Sequence, residues 1–238
     1  MTTGFFDVHS HLGVGIDDGA KTVDGAVAMA EALRRAGFVE AVVTSHIKQG
    51  YWENTRESIT RAVETVRVAS PIPLHVGAEH TFDGIYVASL ESKSLVTLGE
   101  KTRVHLLEFQ PTNIPHDLNA VLFRIRLAGY RPLFAHPERY ADFARDLEAV
   151  ERLVLNGALL QLDVASLAGG YGAAQESRAW RILDRGLYHV AASDLHSAEG
   201  IDAVMAGIKR LQKSVGDTTA NALLAVNPRR IVHGEEIA

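Results

Sequence analysis

The chain has 238 residues, of which 47% are apolar and 22% charged, which supplies a sizeable core and argues against disorder. A net charge of −5 without a basic block makes nucleic acid a poor partner, and the lack of cysteine excludes disulfides, thiolate ligands and a cysteine nucleophile. No apolar stretch approaches the ~20 residues of a membrane span. The first apolar run starts close to Met1, leaving no room for a signal peptide, so a cytoplasmic protein is expected.

FFDVHSH reads as a first strand ending on His9 and His11. Thr22–Gly37 places Val23, Val27, Ala30 and Leu33 at helical spacing, with Gly37 as the stop. VEAVVTS is the second strand and runs up to His46. Glu53–Ala69 is a helix with Ile59, Val63 and Val66 on one face, ended by Pro71 and Pro73. LHVGAE and RVHLLEF are strands three and four, ending on Glu79 and Glu108. A helix over Pro115–Gly129 has proline early and glycine at its stop. PLFAH, ALLQLD and YHVAAS are strands five to seven. The fifth ends on His136, the sixth on Gln161 and Asp163, and the seventh leads to Asp194 and His196. Helices near Ala141–Asn156 and Ala174–Arg185 lie between these strands, and two more, near Ala198–Lys213 and Asp217–Val226, close the chain.

Repeated β-α units predict a parallel sheet with right-handed crossovers. An open sheet binds at one switch point between neighbouring strands. Here six of the seven strand ends carry ligand-type side chains, and a ring lets them converge. The expectation is an α/β fold, a distorted seven-stranded (β/α)7 TIM-like barrel, as one domain over residues 1–238.

Each constellation has an ordinary alternative. His9 and His11 form an i, i+2 pair that can reach one ion, or are two surface histidines. Asp18 lies in Asp17-Asp18-Gly19, which also reads as a turn. His46 alone suits a satisfied core histidine. Glu79 and Glu108 end nearly aliphatic strands, where a carboxylate must be paired or on a metal. Arg139, in Ala-His-Pro-Glu-Arg-Tyr, is a fork for phosphate or a salt bridge to Glu138 or Asp142. Asp194 and His196 repeat the i, i+2 spacing. The nine side chains His9, His11, Asp18, His46, Glu79, Glu108, His136, Asp194 and His196 exceed what one or two ions need, so three ions with shared carboxylates fit better. Imidazole and carboxylate without sulfur suit manganese, zinc or iron. His75, His80, His105, His116, His189 and His233 are left as structural or solvated, although His75 shares the parity of Glu79.

These stretches resemble the PHP (polymerase and histidinol phosphatase) superfamily, and within it the manganese-dependent bacterial protein-tyrosine phosphatases of capsule and exopolysaccharide synthesis. DVHSHLGVGIDDGA, TSH, GAE, LLEF, AHPERY, LAGGYG and ASDLH carry the resemblance, from residue 7 to residue 196. It implies three divalent metal ions, manganese foremost with zinc or iron as alternatives. By its pattern His9, His11, Glu79 and Asp194 hold the first. Glu79 bridges to a second with Glu108 and His136, and Asp18, His46 and His196 hold the third. Arg139 matches an arginine that grips phosphate. The implied partner is a phosphotyrosine protein, an autophosphorylating tyrosine kinase. The chain departs in two places: Ser45 stands where the family usually has proline, and SAEGIDAVMAGIK has no arginine before Arg210.

The implied activity is phosphoric monoester hydrolysis by water acidified on metal. A PHP phosphatase of histidinol phosphate or a sugar phosphate is the nearest alternative. An amidohydrolase is disfavoured because Glu108 stands where its binuclear members often carry a carboxylated lysine. A non-enzymatic scaffold would have lost ligands, and none is missing.

Overall fold

The computed structural model of the chain describes residues 4–110 and 114–237. The first unit is β1 (Phe5–Ser10), α1 (Val23–Arg35) and β2 (Phe38–Val43). Thr22 caps α1 by accepting from Gly25 N, and Arg34 and Arg35 sit at its negative end. A short hairpin, β3 (His46–Lys48) and β4 (Trp52–Glu53), precedes α2 (Arg56–Arg67), whose start is closed by a reciprocal cap between Thr55 and Ser58. Next come β5 (Leu74–Val76), β6 (Glu79–Thr81), α3 (Gly84–Glu91), β7 (Val104–Glu108), α4 (Leu118–Leu127) and β8 (Arg131–Phe134). The chain continues through α5 (Ala141–Arg145), α6 (Leu147–Leu155), β9 (Leu159–Asp163), α7 (Ala173–Asp184) and β10 (Val190–Ala192). It closes with α8 (Ile201–Asn221) and α9 (Asn227–His233).

The strands lie in two sheets, β1-β2-β5 and β10-β9-β8-β7-β6-β3-β4, and every pairing is parallel except β3 with β4. The sheets share two chain paths. The second predicted strand is divided into β2 and β3 across Thr44–Ser45, and the third into β5 and β6 across Gly77–Ala78. Gly77 is needed at that break, because a Cβ there would stand 2.6 Å from Val42. The end of β1 also meets the segment after β10. Asp194 N donates to His9 O at 2.9 Å, and His11 N donates to Leu195 O at 3.0 Å.

Period-two alternation divides the core. Phe6, Val8, Val42, Leu106, Leu133, Leu159 and Val190 form one cluster with Ile231 and Val232 of α9. Their neighbours Leu107, Phe134 and Leu160 belong to a second cluster, packed with Leu33 of α1 and Val63 of α2. Each such buried side chain contributes roughly 1.5–3 kcal/mol.

Several boundaries differ from the sequence expectation. α3 was not expected, because GIYVASLE is apolar without a clear face. The predicted helix over Ala141–Asn156 is broken at Asp146, which leaves the helical region and accepts from Ala149 N to start α6. α4 begins after Asp117, its cap, so Pro115 stands outside it, while Gly129 provides the stop with φ +85°. Glu53 is in β4, and the helix expected from it starts at Arg56. The two closing helices run on as α8, kinked at Gly216, and α9 lies beyond them. His75 is half-buried and pairs with Glu40 at 2.8 Å, so it has no part in the strand-end cluster.

His80, on the outer side of β6, is fully buried, and burial pushes its pKa down to about 4 from 6.5. The unfolded chain therefore binds the proton first, and stability present above pH 6.5 is lost as pH falls toward 4. The size is about 3 kcal/mol. Thermal melts in chelator between pH 7 and 4.5 should show His80→Gln less stable than wild type at pH 7 but with a shallower loss of Tm toward acid.

Candidate metal centre

The strands that build the apolar column also build the site. Leu106 of β7 lies in the inner cluster and Glu108 follows two residues later. Leu159 of β9 is followed by Gln161 and Asp163, and Ala192 of β10 by Asp194. Each face is thus apolar at the start of its strand and polar at its end.

His9, His11, Glu79 and Asp194 are all buried and converge. His9 Nε2 lies 3.1 Å from Glu79 Oε2 and 3.0 Å from Asp194 Oδ1. His11 Nε2 lies 3.4 Å and 3.3 Å from the same two oxygens, and 3.2 Å from His9 Nε2. The other ring nitrogens are engaged: His9 Nδ1 is 3.0 Å from Gln161 Oε1, and His11 Nδ1 is 3.0 Å from Asp17 Oδ2. Both acceptors draw the ring proton to Nδ1, which turns the Nε2 lone pairs inward. Two protonated Nε2 atoms could not face each other at this separation. A tetrahedral ion with bonds of about 2.0–2.1 Å has donor–donor edges of about 3.3 Å, and the five distances above match that spacing. Asp194 Oδ1 is buried and has no hydrogen bond, as expected of an oxygen that serves an ion. The donor set therefore fits a cation.

Two further groups adjoin the first. His46 Nδ1 is 3.2 Å from Glu79 Oε2 and 3.7 Å from Glu108 Oε1. His46 Nε2 is 3.6 Å from Asp18 Oδ1, which His196 Nε2 approaches at 3.4 Å. His196 Nδ1 donates to Asp194 O at 2.9 Å, freeing Nε2 for the Asp18 side. Three donor groups result: His9, His11, Glu79 and Asp194; His46, Glu79 and Glu108; and His11, Asp18, His46 and His196. His136 reaches the other Glu79 oxygen, Oε1, at 3.0 Å, while the imidazole of His46 is the one that approaches Glu108. All nine sequence-predicted ligands are thus contiguous, with His46 and Glu79 central.

Charge crowding shows in the titration of the group. Glu108 is pushed up to about 7 by burial and then by the charge of Glu79. His136 is pushed down to about 4 by burial and then by Arg139. Burial opposes the charge of His9, but Asp194 and Glu79 outweigh it and hold its pKa well above the usual value. His136 and Asp194 take left-handed backbone, φ 35° and 48°. That costs about 1–3 kcal/mol each and is held by the bonds His136 O makes with Arg139 N and Asp194 N makes with His9 O.

Arg139 stands beside the first group with 23% of its side chain exposed. Its Nη2 donates to Asp163 Oδ2 and, at 2.6 Å, to Asp194 Oδ2, and its guanidinium lies 3.9 Å from the Tyr171 ring centre. The alternative pairing with Glu138 or Asp142 is not seen: Glu138 accepts from Asp163 N and Tyr188 Oη, and Asp142 from Arg145.

Four supporting residues were not assigned from sequence. Asp17 accepts from His11, Gly19 N and His46 N. Gln161 and Asp163 hold His9 and Arg139, and their i, i+2 spacing at a strand end was the visible signal. Asp7, inside the apolar FFDV run, accepts from Ser193 N and Oγ and ties β1 to the segment after β10.

The family model for capsular polysaccharide synthesis, CpsB/CapC, matches residues 5–233. The chain belongs to the CpsB/CapC family. The tyrosine-protein phosphatase CpsB of Streptococcus pneumoniae is 30% identical over 239 residues, covering 95% of this chain and 97% of that protein. The tyrosine-protein phosphatase YwqE of Bacillus subtilis is 30% identical over 198 residues, covering 81% and 78%. A solved structure from work on YwqE and CpsB, described as metal-dependent tyrosine phosphatases, superposes with a TM-score of 0.85 at 26% identity, covering 98% of this chain and 96% of that one.

Asp17→Asn keeps every predicted ligand but removes the charged acceptor that orients His11. Manganese affinity, measured by competition with a chelator, should fall roughly 10–100-fold with little change in the metal-free melting temperature.

Proposed function

We propose that this chain is a metal-dependent protein-tyrosine phosphatase of exopolysaccharide regulation, acting in the cytoplasm on an autophosphorylating tyrosine kinase. The observation that carries the reading is the convergence of inward-facing imidazole and carboxylate lone pairs from His9, His11, Glu79 and Asp194 beside Arg139. Three divalent ions, manganese foremost, are the cofactor that the nine donors suit. The fold we assign is a single distorted seven-stranded (β/α)7 barrel. The parallel order β10-β9-β8-β7-β6-β3, the two chain paths shared with the β1-β2-β5 sheet and the two hydrogen bonds joining β1 to the segment after β10 support it.

When bound, the ions would supply a water acidified toward neutrality and positive charge for the phosphoryl oxygens. The protein's own groups do the positioning. Asp194 turns Oδ1 toward His9 and His11 and Oδ2 toward Arg139, so one carboxylate fixes the ligand set and the arginine together. Arg139 is held by Asp163, Asp194 and Tyr171, which leaves its remaining donors for an equatorial oxygen of the ester. Its rigidity limits the entropy lost when phosphate is gripped. A tyrosine phenolate leaves with a pKa of about 10, so this substrate asks less of a general acid than an alkyl phosphate does. With no cysteine in the chain, a phosphocysteine route is closed.

Phosphate release from a phosphotyrosine peptide should depend on added manganese and fall at least about 100-fold in chelator. Arg139→Ala should lower kcat/KM roughly 10²–10³-fold with bound metal retained. His136→Ala should lose both activity and metal. Faster turnover of histidinol phosphate than of the peptide would favour the small-metabolite reading, and full activity in both variants would refute the site assignment.

A further inference from the structure

The turn between β3 and β4 has features that the metal site does not require. β3 places His46 and Lys48 two residues apart, so both side chains leave the same face. His46 points at Glu79 and Glu108. Lys48 therefore stands one step further toward the mouth. Among the described residues Lys48 makes no ion pair. Its ammonium instead lies 5.1 Å from the ring centre of Tyr51 and 6.0 Å from that of Trp52. Trp52 stacks on His46 with ring centres 5.0 Å apart and planes 12° from parallel. Tyr51 is 73% exposed.

The turn is fastened from both sides. Gln49 N donates to Asp83 Oδ2 at 2.8 Å, and Gly50, with φ +77°, donates to Glu53 Oε1 at 3.0 Å. Asn54 Nδ2 donates to Ile16 O and His46 O at 2.8 and 2.9 Å. An exposed aromatic ring and a cation without a carboxylate are thus held at fixed positions beside the predicted ligands. Across the mouth, Arg139 is already paired with two carboxylates.

We infer that Lys48, Tyr51 and Trp52 form an aryl-phosphate recognition wall: Lys48 binds a phosphoryl oxygen, and the two rings pack against the phenyl ring of a phosphotyrosyl side chain. The inference rests on the phosphatase reading and names how that substrate is chosen. A lysine held over aromatic faces keeps its charge in place while its stem covers apolar surface. A phenyl ring entering beside Tyr51 adds an aromatic contact that an alkyl phosphate or free phosphate cannot make. Lys48 thus serves any phosphate, and the rings serve only aryl esters.

The test uses the manganese-loaded protein and calorimetric binding of two probes, inorganic phosphate and a peptide carrying a non-hydrolysable phosphonate analogue of phosphotyrosine. Lys48→Met keeps the stem and removes the charge, and should weaken both probes about tenfold. Lys48→Arg should recover most of that loss. Tyr51→Ala should weaken the peptide about tenfold and leave inorganic phosphate unchanged. Metal content and melting temperature are measured alongside to confirm that each variant is folded and loaded. Wild-type affinity for both probes in Lys48→Met, or equal weakening of both by Tyr51→Ala, would overturn the wall. If wild type binds both probes with this pattern but releases no phosphate from a phosphotyrosine peptide, the wall stands as an anion site and the phosphatase reading falls. Binding of neither probe overturns both.

Discussion

Two imidazole nitrogens and two carboxylate oxygens, contributed by residues as far apart as His9 and Asp194, meet at hydrogen-bonding distance, so that protons or a cation must lie among them. Lone pairs repel at that spacing unless a positive charge lies among them. The scaffold exists to hold them there against that repulsion. The parallel strands end together, the inner apolar column stops one residue pair below, and left-handed backbone at His136 and Asp194 re-aims two side chains that plain extended chain would turn elsewhere. Burial then strengthens every interaction in the group, favourable or not.

The residues that do not face the cluster are what make it specific. Gln161 and Asp17 fix which nitrogen of His9 and His11 carries the proton. Asp163 and Tyr171 hold Arg139 beside Asp194. Asp7 joins the first strand to the last through Ser193, which fixes where His9 stands relative to Asp194. Loss of one of these would leave the candidate ligands in place but unaimed, a lesion that the ligand count does not reveal.

Much of this was legible in the sequence, for reasons that also explain the omissions. Alternation of strand and helix survives in the apolar pattern because each parallel strand is buried on both faces, so its runs are nearly continuous. Ligand-type residues were visible because a charge at the end of an aliphatic run has no cheap structural explanation. The divisions at Thr44–Ser45 and Gly77–Ala78 were not visible, since they come from the passage of one path between two sheets and leave the hydrophobicity unchanged. α3 was missed because a helix apolar on all sides has no periodic signature. Asp17 is not legible in the sequence because an Asp-Asp-Gly turn explains it locally, and its buried role depends on His11 and His46 folding over it. Arg139 was singled out, but its partners Asp163 and Asp194 lie far along the chain, and sequence proximity favoured Glu138 and Asp142 instead.

On the proposed function, the charge at the mouth makes phosphate recognition a property of the whole centre. Asp17, Asp18, Glu79, Glu108, Asp163 and Asp194 crowd into it, against few permanent cations such as Arg139, Lys48 and Lys21. Burial and the neighbouring carboxylates raise Glu108 and Asp163, as expected where negative charge is in excess. Arg139 is neutralised by its two carboxylate partners, so its contribution to a phosphate is direction more than charge. A phosphate dianion would be repelled from such a mouth by the protein alone. Divalent cations bound there would reverse the sign of the field and would compete with protons for the same nitrogens and oxygens, so metal affinity would weaken as pH falls. Substrate binding, metal loading and the protonation of His9 and His11 would therefore be linked equilibria. The same negative crowding that repels the anion would give the cations their affinity, and on the proposed function only the loaded centre would have both the charge and the geometry to accept a phosphoryl group.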